Sequence, residues 1–219
     1  MLKDKMIPIE EAIGKINDGA TIMVGGFMTN GSPEALIDAL VKKGSKDLTL
    51  ICNDAGFIDK GVGKLLKAGQ LKKLYATHIG LNREAGRQMN EGELEVELIP
   101  QGSFAEKIRI GGFGIGGFYT PTGVGTLVEE GKELKVIDGK TYLLELPFKA
   151  DFALILANKA DQLGNLQYSG SENNFNALMA ACAKTTIVQA REVLAKGQLQ
   201  AECVHTPHIF VDYLIEEGV

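Results

Sequence analysis

Three stretches of this 219-residue chain hold residue types that could do chemistry. Residues 23–33 read MVGGFMTNGSP, with two adjacent glycines, a third at Gly31 and a serine-proline pair. Glycine permits positive φ and close backbone approach. Free N–H groups in a loop that opens a helix can hold an anion such as a phosphate. The same pattern also makes a tight turn with no ligand, and both readings stand on these residues alone. The second stretch, GFGIGG, matches GxGxxG at Gly112, Gly114 and Gly117. That fingerprint needs a strand before it and a helix after it. Here a capped helix precedes it and Pro121 follows, so nicotinamide binding is not expected. The third, YSGSENNFN, sets the Glu172 carboxylate between Ser171 and Asn173. A carboxylate can act as a nucleophile, but glutamate beside Ser and Asn is also ordinary in a polar loop.

The remaining polar candidates are sparse. Three cysteines (Cys52, Cys182, Cys203) and three histidines (His78, His205, His208) stand far apart with no CxxC. That set predicts reduced thiols and no metal site. Cys52 ends an apolar run and is expected to be buried. His78 follows LKKLYAT and either reaches a site mouth or packs as a hydrogen-bonded histidine. His205 and His208 flank Pro207 and read as structural. Arg83 and Arg87 share one helical face, either a solvated face or a contact for phosphates.

The elements that must position these residues alternate. Thr21–Val24, Leu48–Cys52, Leu71–Thr77, Leu94–Ile99, Phe152–Ala157 and Thr185–Val188 read as strands. Pro33–Lys43, Val62–Ala68 and Asn82–Asn90 read as helices. Ser32 is expected as N-cap of the first, with Pro33 at N1 and Gly44 just past its end. Ser103 and Glu106 fit a capping box before a short helix. Gly111–Gly125 reads as a glycine-rich loop. Leu134–Ile137 and Thr141–Leu146 form a hairpin around Asp138-Gly139. The tail, Phe210–Ile215, reads as helical. The fold class is therefore α/β, an open, mainly parallel sheet flanked by helices. Residues 1–219 are expected to form one domain, without internal repeat or linker. Residues 23–33 then form a strand-loop-helix junction at the carboxyl end of the sheet, where open α/β sheets place ligands.

Composition excludes several classes. Net charge is -5 and the 23 Lys and Arg residues are scattered, so no nucleic-acid footprint is expected. No apolar run approaches the ~18 residues of a membrane span, and the amino-terminal MLKDKMIPIEEAIGKI lacks the apolar region of a signal peptide. A cytoplasmic location is the expectation.

Three stretches together resemble the α subunit of the family I coenzyme A transferases. They are DGATIMVGGFMTNGSP (18–33), GELEVELIPQGSFAEKIRIGG (92–112) and FYTPTGVGTLVEEG (118–131), and the likeness continues through DQLGNLQY (161–168). The two-subunit acetate, butyrate or acetoacetate CoA-transferases are most similar. The resemblance implies ping-pong transfer of CoA between short-chain carboxylic acids, through a glutamyl-CoA thioester. Coenzyme A or acyl-CoA is then a substrate, and no cofactor is permanently bound. It further implies that the nucleophilic glutamate lies in a partner β subunit, within Ser-Glu-Asn-Gly, in an α2β2 assembly. Val24, Gly25, Gly26, Phe27, Met28, Thr29, Asn30 and Gly31 match the CoA-binding loop. Gln101 matches a glutamine near the catalytic glutamate; orienting that carboxylate and capping the turn both remain open. Tyr119 and Pro121 are candidates for the acyl pocket. Glu172 departs from the motif, since Asn174 stands where glycine is required, and it reads as part of a solvated or interface loop. The competing reading is a non-catalytic sugar-phosphate-binding or sensor module on a related α/β scaffold.

Overall fold

A computed structural model describes residues 5–218. The elements run α1 (Ile9–Gly14), β1 (Thr21–Val24), α2 (Glu34–Lys43), β2 (Leu48–Ile51), α3 (Gly63–Lys67), β3 (Leu71–Ala76), α4 (Arg83–Asn90), β4 (Glu95–Leu98) and α5 (Gln101–Gly112). After these come β5 (Phe118–Thr120), β6 (Leu134–Ile137), β7 (Lys140–Glu145), β8 (Ala150–Asp161), β9 (Leu166–Gln167), α6 (Asn176–Ala180), β10 (Ala183–Leu194) and β11 (Tyr213–Glu216).

The main sheet has the order β11-β10-β8-β1-β2-β3-β4, with β9 added to β8. Every pair along that order is parallel, and only β9 is antiparallel. Parallel strands are covered on both faces, so their runs are apolar throughout. Alternate residues feed opposite faces. Ile22 and Val24 of β1 pack with Leu36, Ile37 and Leu40 of α2, whereas Met23 packs with Phe104 and Ile108 of α5. The α/β class expected from the sequence is the one observed.

A smaller antiparallel sheet, β5-β7-β6, lies beside the main one. Its hairpin turns at Asp138 (φ 50°) and Gly139 (φ 75°), two successive left-handed residues that suit a two-residue hairpin. Glu145 of β7, only 1% exposed, ties this sheet to the body: its carboxylate meets Lys107 of α5 at 2.8 Å and Lys132 at 2.5 Å.

Several local expectations fail. Phe210–Ile215 is not a helix: Tyr213–Glu216 forms β11, pairing along β10, and a 3-10 turn covers His208–Phe210. Ser103 caps nothing, because α5 already begins at Gln101 after Pro100 and continues for 12 residues. Ser32 does not cap α2 with its side chain either. The buried Gln189 of β10 does so instead, its Oε1 accepting the Ala35 N–H at 2.9 Å. Gly44 does close α2, at φ 77°.

Candidate active site

The loop after β1 begins by extending the sheet, with Gly25 N–H donating to Leu154 at 2.9 Å. It then folds into a tight turn: Phe27 and Asn30 exchange backbone hydrogen bonds, both 3.0 Å. Met28 sits in that turn at φ 56°, a conformation sparsely used by residues with a side chain. What holds it there is Asp54, whose Oδ2 accepts the Met28 N–H at 2.7 Å.

Asp54 and Asn53 follow β2 at the same end of the sheet, and both are buried. Asp54 also accepts from Gly56 N–H at 2.9 Å and from Asn53 Nδ2 at 2.8 Å. Asn53 Oδ1 accepts Gln101 Nε2 at 2.7 Å. Thr77, after β3, donates its hydroxyl to the Asn53 carbonyl at 2.8 Å and lies 3.3 Å from His78 Nδ1. Residues at the ends of β1, β2 and β3 and the start of α5 thus form one relay. It joins Gln101 to the loop, two features that the sequence analysis singled out separately. Asn53 and Asp54 were not among the sequence candidates, since an Asn-Asp pair after an apolar strand looks like turn chemistry.

The loop has a counterpart after β2. Gly26–Gly31 reads GFMTNG and Gly56–Gly61 reads GFIDKG. Both turns close by a bridge between the phenylalanine and the residue three positions later. All four bounding glycines have positive φ, and Phe27 and Phe57 are 43% and 41% exposed. The shared Gly-Phe and closing Gly thus place two like turns after neighbouring strands.

The far wall of the loop is the YSGSENNFN segment. Asn30 Nδ2 donates to Ser171 Oγ at 3.0 Å, and Asn174 Nδ2 to the Asn30 carbonyl at 3.1 Å. Asn176, fully buried, donates to the carbonyls of Gly31 (2.9 Å) and Glu172 (2.8 Å) and accepts from Leu156 N–H at 3.0 Å. Glu172 itself is clasped by Arg191 through two hydrogen bonds of 2.6 and 2.8 Å. The bidentate pair fixes this carboxylate in place, and the segment packs as the loop's support.

These contacts change the meaning of the glycines. A Cβ on Gly25 would lie 1.9 Å from Asn176 Oδ1, so its close approach is to the protein's own asparagine. The helix start is likewise committed, since Gln189 takes one α2 N–H and Glu34 occupies the first turn. A phosphate seat at the start of α2 is therefore not what the loop offers. Between the turn and Asp54 lies a cavity of only ≈10 Å³, about one water. That cavity is too small for more than a water, and Phe27 and Asn30 are the exposed residues of the turn.

The other candidates separate cleanly. Arg87 is engaged by Glu84, Glu91 and Glu93, so it belongs to a solvated ion network, while Arg83 is exposed. Tyr119 bonds Glu133 and lies under Lys135 within the small sheet. His205 accepts from Tyr168 N–H and stacks on its ring, and His208 donates its backbone N–H to Asn165 Oδ1. Burial pushes the Cys52 thiol well above its ordinary range and Cys182 up to about 11, which fits thiols that only pack. Gly112 ends α5 and a strand, not a helix, follows Gly117, so GFGIGG lacks the dinucleotide setting.

The profile of the coenzyme A transferase family matches residues 6–217. The chain belongs to the coenzyme A transferase family. It is 50% identical to the acetate CoA-transferase subunit alpha of Escherichia coli K12, over 98% of this chain and 97% of that protein. It is 45% identical to the acetoacetyl-CoA:acetate/butyrate CoA transferase alpha subunit of Clostridium acetobutylicum, over 99% of each. Among solved structures, an acyl-CoA transferase of E. coli O157:H7, in a thioester complex with CoA, superposes with a TM-score of 0.87 at 22% identity. That match covers 98% of this chain and 47% of the solved one, so this CoA-transferase spans about half the length of that structure. These similarities give no support to the sugar-phosphate module.

Proposed function

We propose that this chain is the α subunit of a short-chain acyl-CoA:carboxylate CoA-transferase of the acetate, butyrate and acetoacetate class. The observation that carries the reading is the relay from Gln101 through Asn53 and Asp54 to the Met28 N–H, in a chain of this family. Glu172, beside the loop, is paired with Arg191. In line with the family resemblance, we take the nucleophile to come from a β subunit, the partner that the relatives' alpha-subunit names point to. An α2β2 assembly in the cytoplasm is the form we expect.

In the reaction, the partner's glutamate carboxylate attacks the thioester carbonyl and CoA thiolate leaves, giving an acyl-glutamyl anhydride. The thiolate then attacks the glutamyl carbonyl, releases the first carboxylate and forms the glutamyl-CoA thioester. A second carboxylate reverses both steps and departs as the new acyl-CoA. Each step exchanges one activated acyl group for another, so the sequence needs no external energy source.

This chain supplies binding and orientation. Within Val24–Gly31, whose Val24, Gly25, Gly26 and Gly31 are buried, the exposed stretch Phe27–Asn30 lies along the CoA moiety. Gln101 Nε2 has two hydrogens; Asn53 takes one, and the other is left for the catalytic carboxylate or the acyl oxygen. The test is purification of the tagged chain with its natural partner, followed by exchange between butyryl-CoA and labelled acetate. Parallel double-reciprocal lines support the reading; no CoA exchange by the complex overturns it.

A further inference from the structure

The relay at the carboxyl edge has a polarity, and one residue sets it. A carboxylate accepts hydrogen bonds and cannot donate them. Asp54, 4% exposed, accepts three: from Met28 N–H and Asn53 Nδ2 on Oδ2, and from Gly56 N–H on Oδ1. The Asn53 amide must therefore face Asp54 with its nitrogen, which leaves Oδ1 toward Gln101. Gln101 must in turn meet that oxygen with Nε2, as it does at 2.7 Å. Thr77 Oγ1, whose single hydrogen goes to the Asn53 carbonyl, lies 3.3 Å from the same oxygen.

The carboxylate also spans the two like turns. It holds Met28, inside the first, and Gly56, the opening residue of the second. The second turn also reaches the start of α2, where Gly61 N–H donates to Glu34 Oε1 at 2.8 Å, and a Cβ on Gly61 would meet Thr29 of the first turn at 3.4 Å.

The geometry points to Asp54 as a positioning residue for CoA transfer, one that fixes the amide orientation of Gln101. It touches no substrate and acts through Asn53. This rests on the role given to Gln101 above.

A double-mutant cycle on the complex with the β subunit tests it. Gln101→Ala is expected to lower kcat by about 10²-fold. Asp54→Asn frees the Asn53 amide to turn over, and is expected to lower kcat by a similar ~10²-fold. If Asp54 acts through Gln101, the double variant is no slower than Gln101→Ala alone. A double variant slowed by the product of the two effects overturns the proposal and leaves the function standing. A Gln101→Ala complex at the wild-type rate removes the role of Gln101 itself, and the proposal with it. Should Asp54→Asn fail to fold, Gln101→Glu decides. An acceptor-only group has nothing to receive from Asn53 Oδ1 in this polarity, so kcat falls as far as in Gln101→Ala. A Gln101→Glu complex within twofold of wild type contradicts the assigned polarity.

Discussion

Gly25 and Asn176 occupy what would otherwise be the same space: a Cβ on the glycine would stand 1.9 Å from the asparagine Oδ1. Asn176 cannot withdraw, because its amide bonds Gly31, Glu172 and Leu156. The first glycine of the loop is thus required by the fold before any ligand arrives. Gly25→Ala should destabilise the protein by about 1–3 kcal/mol through overpacking. In a cycle with Asn176→Ala the two costs should not add, since the clash needs both side chains. Urea unfolding of the four proteins measures this; additive costs would show that the loop shifts away freely.

Phe27 tests the ligand face without that complication. It is 43% exposed at the turn, so Phe27→Ala leaves the fold largely intact. Acyl-CoA lying across the turn predicts a KM for acyl-CoA raised about tenfold, with the KM for the free carboxylate nearly unchanged, equivalent to ~1.4 kcal/mol of lost binding. An unaltered acyl-CoA KM would count against the Val24–Gly31 assignment.

Glu145 holds the small sheet to α5 through Lys107, and also pairs with Lys132 just before β6. Removing one partner of a buried ion pair strands the others. Glu145→Ala should cost about 3 kcal/mol, read from the urea midpoint at constant m. A loss under ~1 kcal/mol would place the triad among weak surface pairs.

Asp151 links stability to pH. Its bond to Lys184, together with the Thr21 N–H at the start of β1, holds its carboxyl below the ordinary 3.8. The folded value is lower than the unfolded one, so the stabilisation is full above the unfolded value and lost as pH falls through the folded one. Wild type should therefore exceed Asp151→Asn in stability at pH 6, and the gap should close below pH 3.8. A gap that does not narrow as pH falls below 3.8 would assign it to packing.

How much of this was legible beforehand follows from what each segment depends on. β1, β2, β3 and α2 announce themselves because their apolar runs and the Gly44 stop are local properties. Phe210–Ile215 misleads because a short apolar run has no decisive period, and its strand state comes from pairing with β10. Ser32 looked like a cap, but the cap is Gln189, 154 residues away in sequence from Ala35. The glycine loop and Gln101 were visible as motifs. The Asn53–Asp54 pair that joins them was not, because its meaning lies in partners 26 and 48 residues away. Glu172 shows the converse: a catalytic-looking triplet whose role is set by Arg191 and Asn176.

The central claim is that this chain holds CoA but not the nucleophile. The most direct measurement treats the purified complex with acyl-CoA, quenches it, and weighs each chain by intact mass spectrometry. The account predicts a covalent CoA adduct on the partner alone, with this chain's mass unchanged. An adduct on this chain, mapped to Glu172, would contradict it.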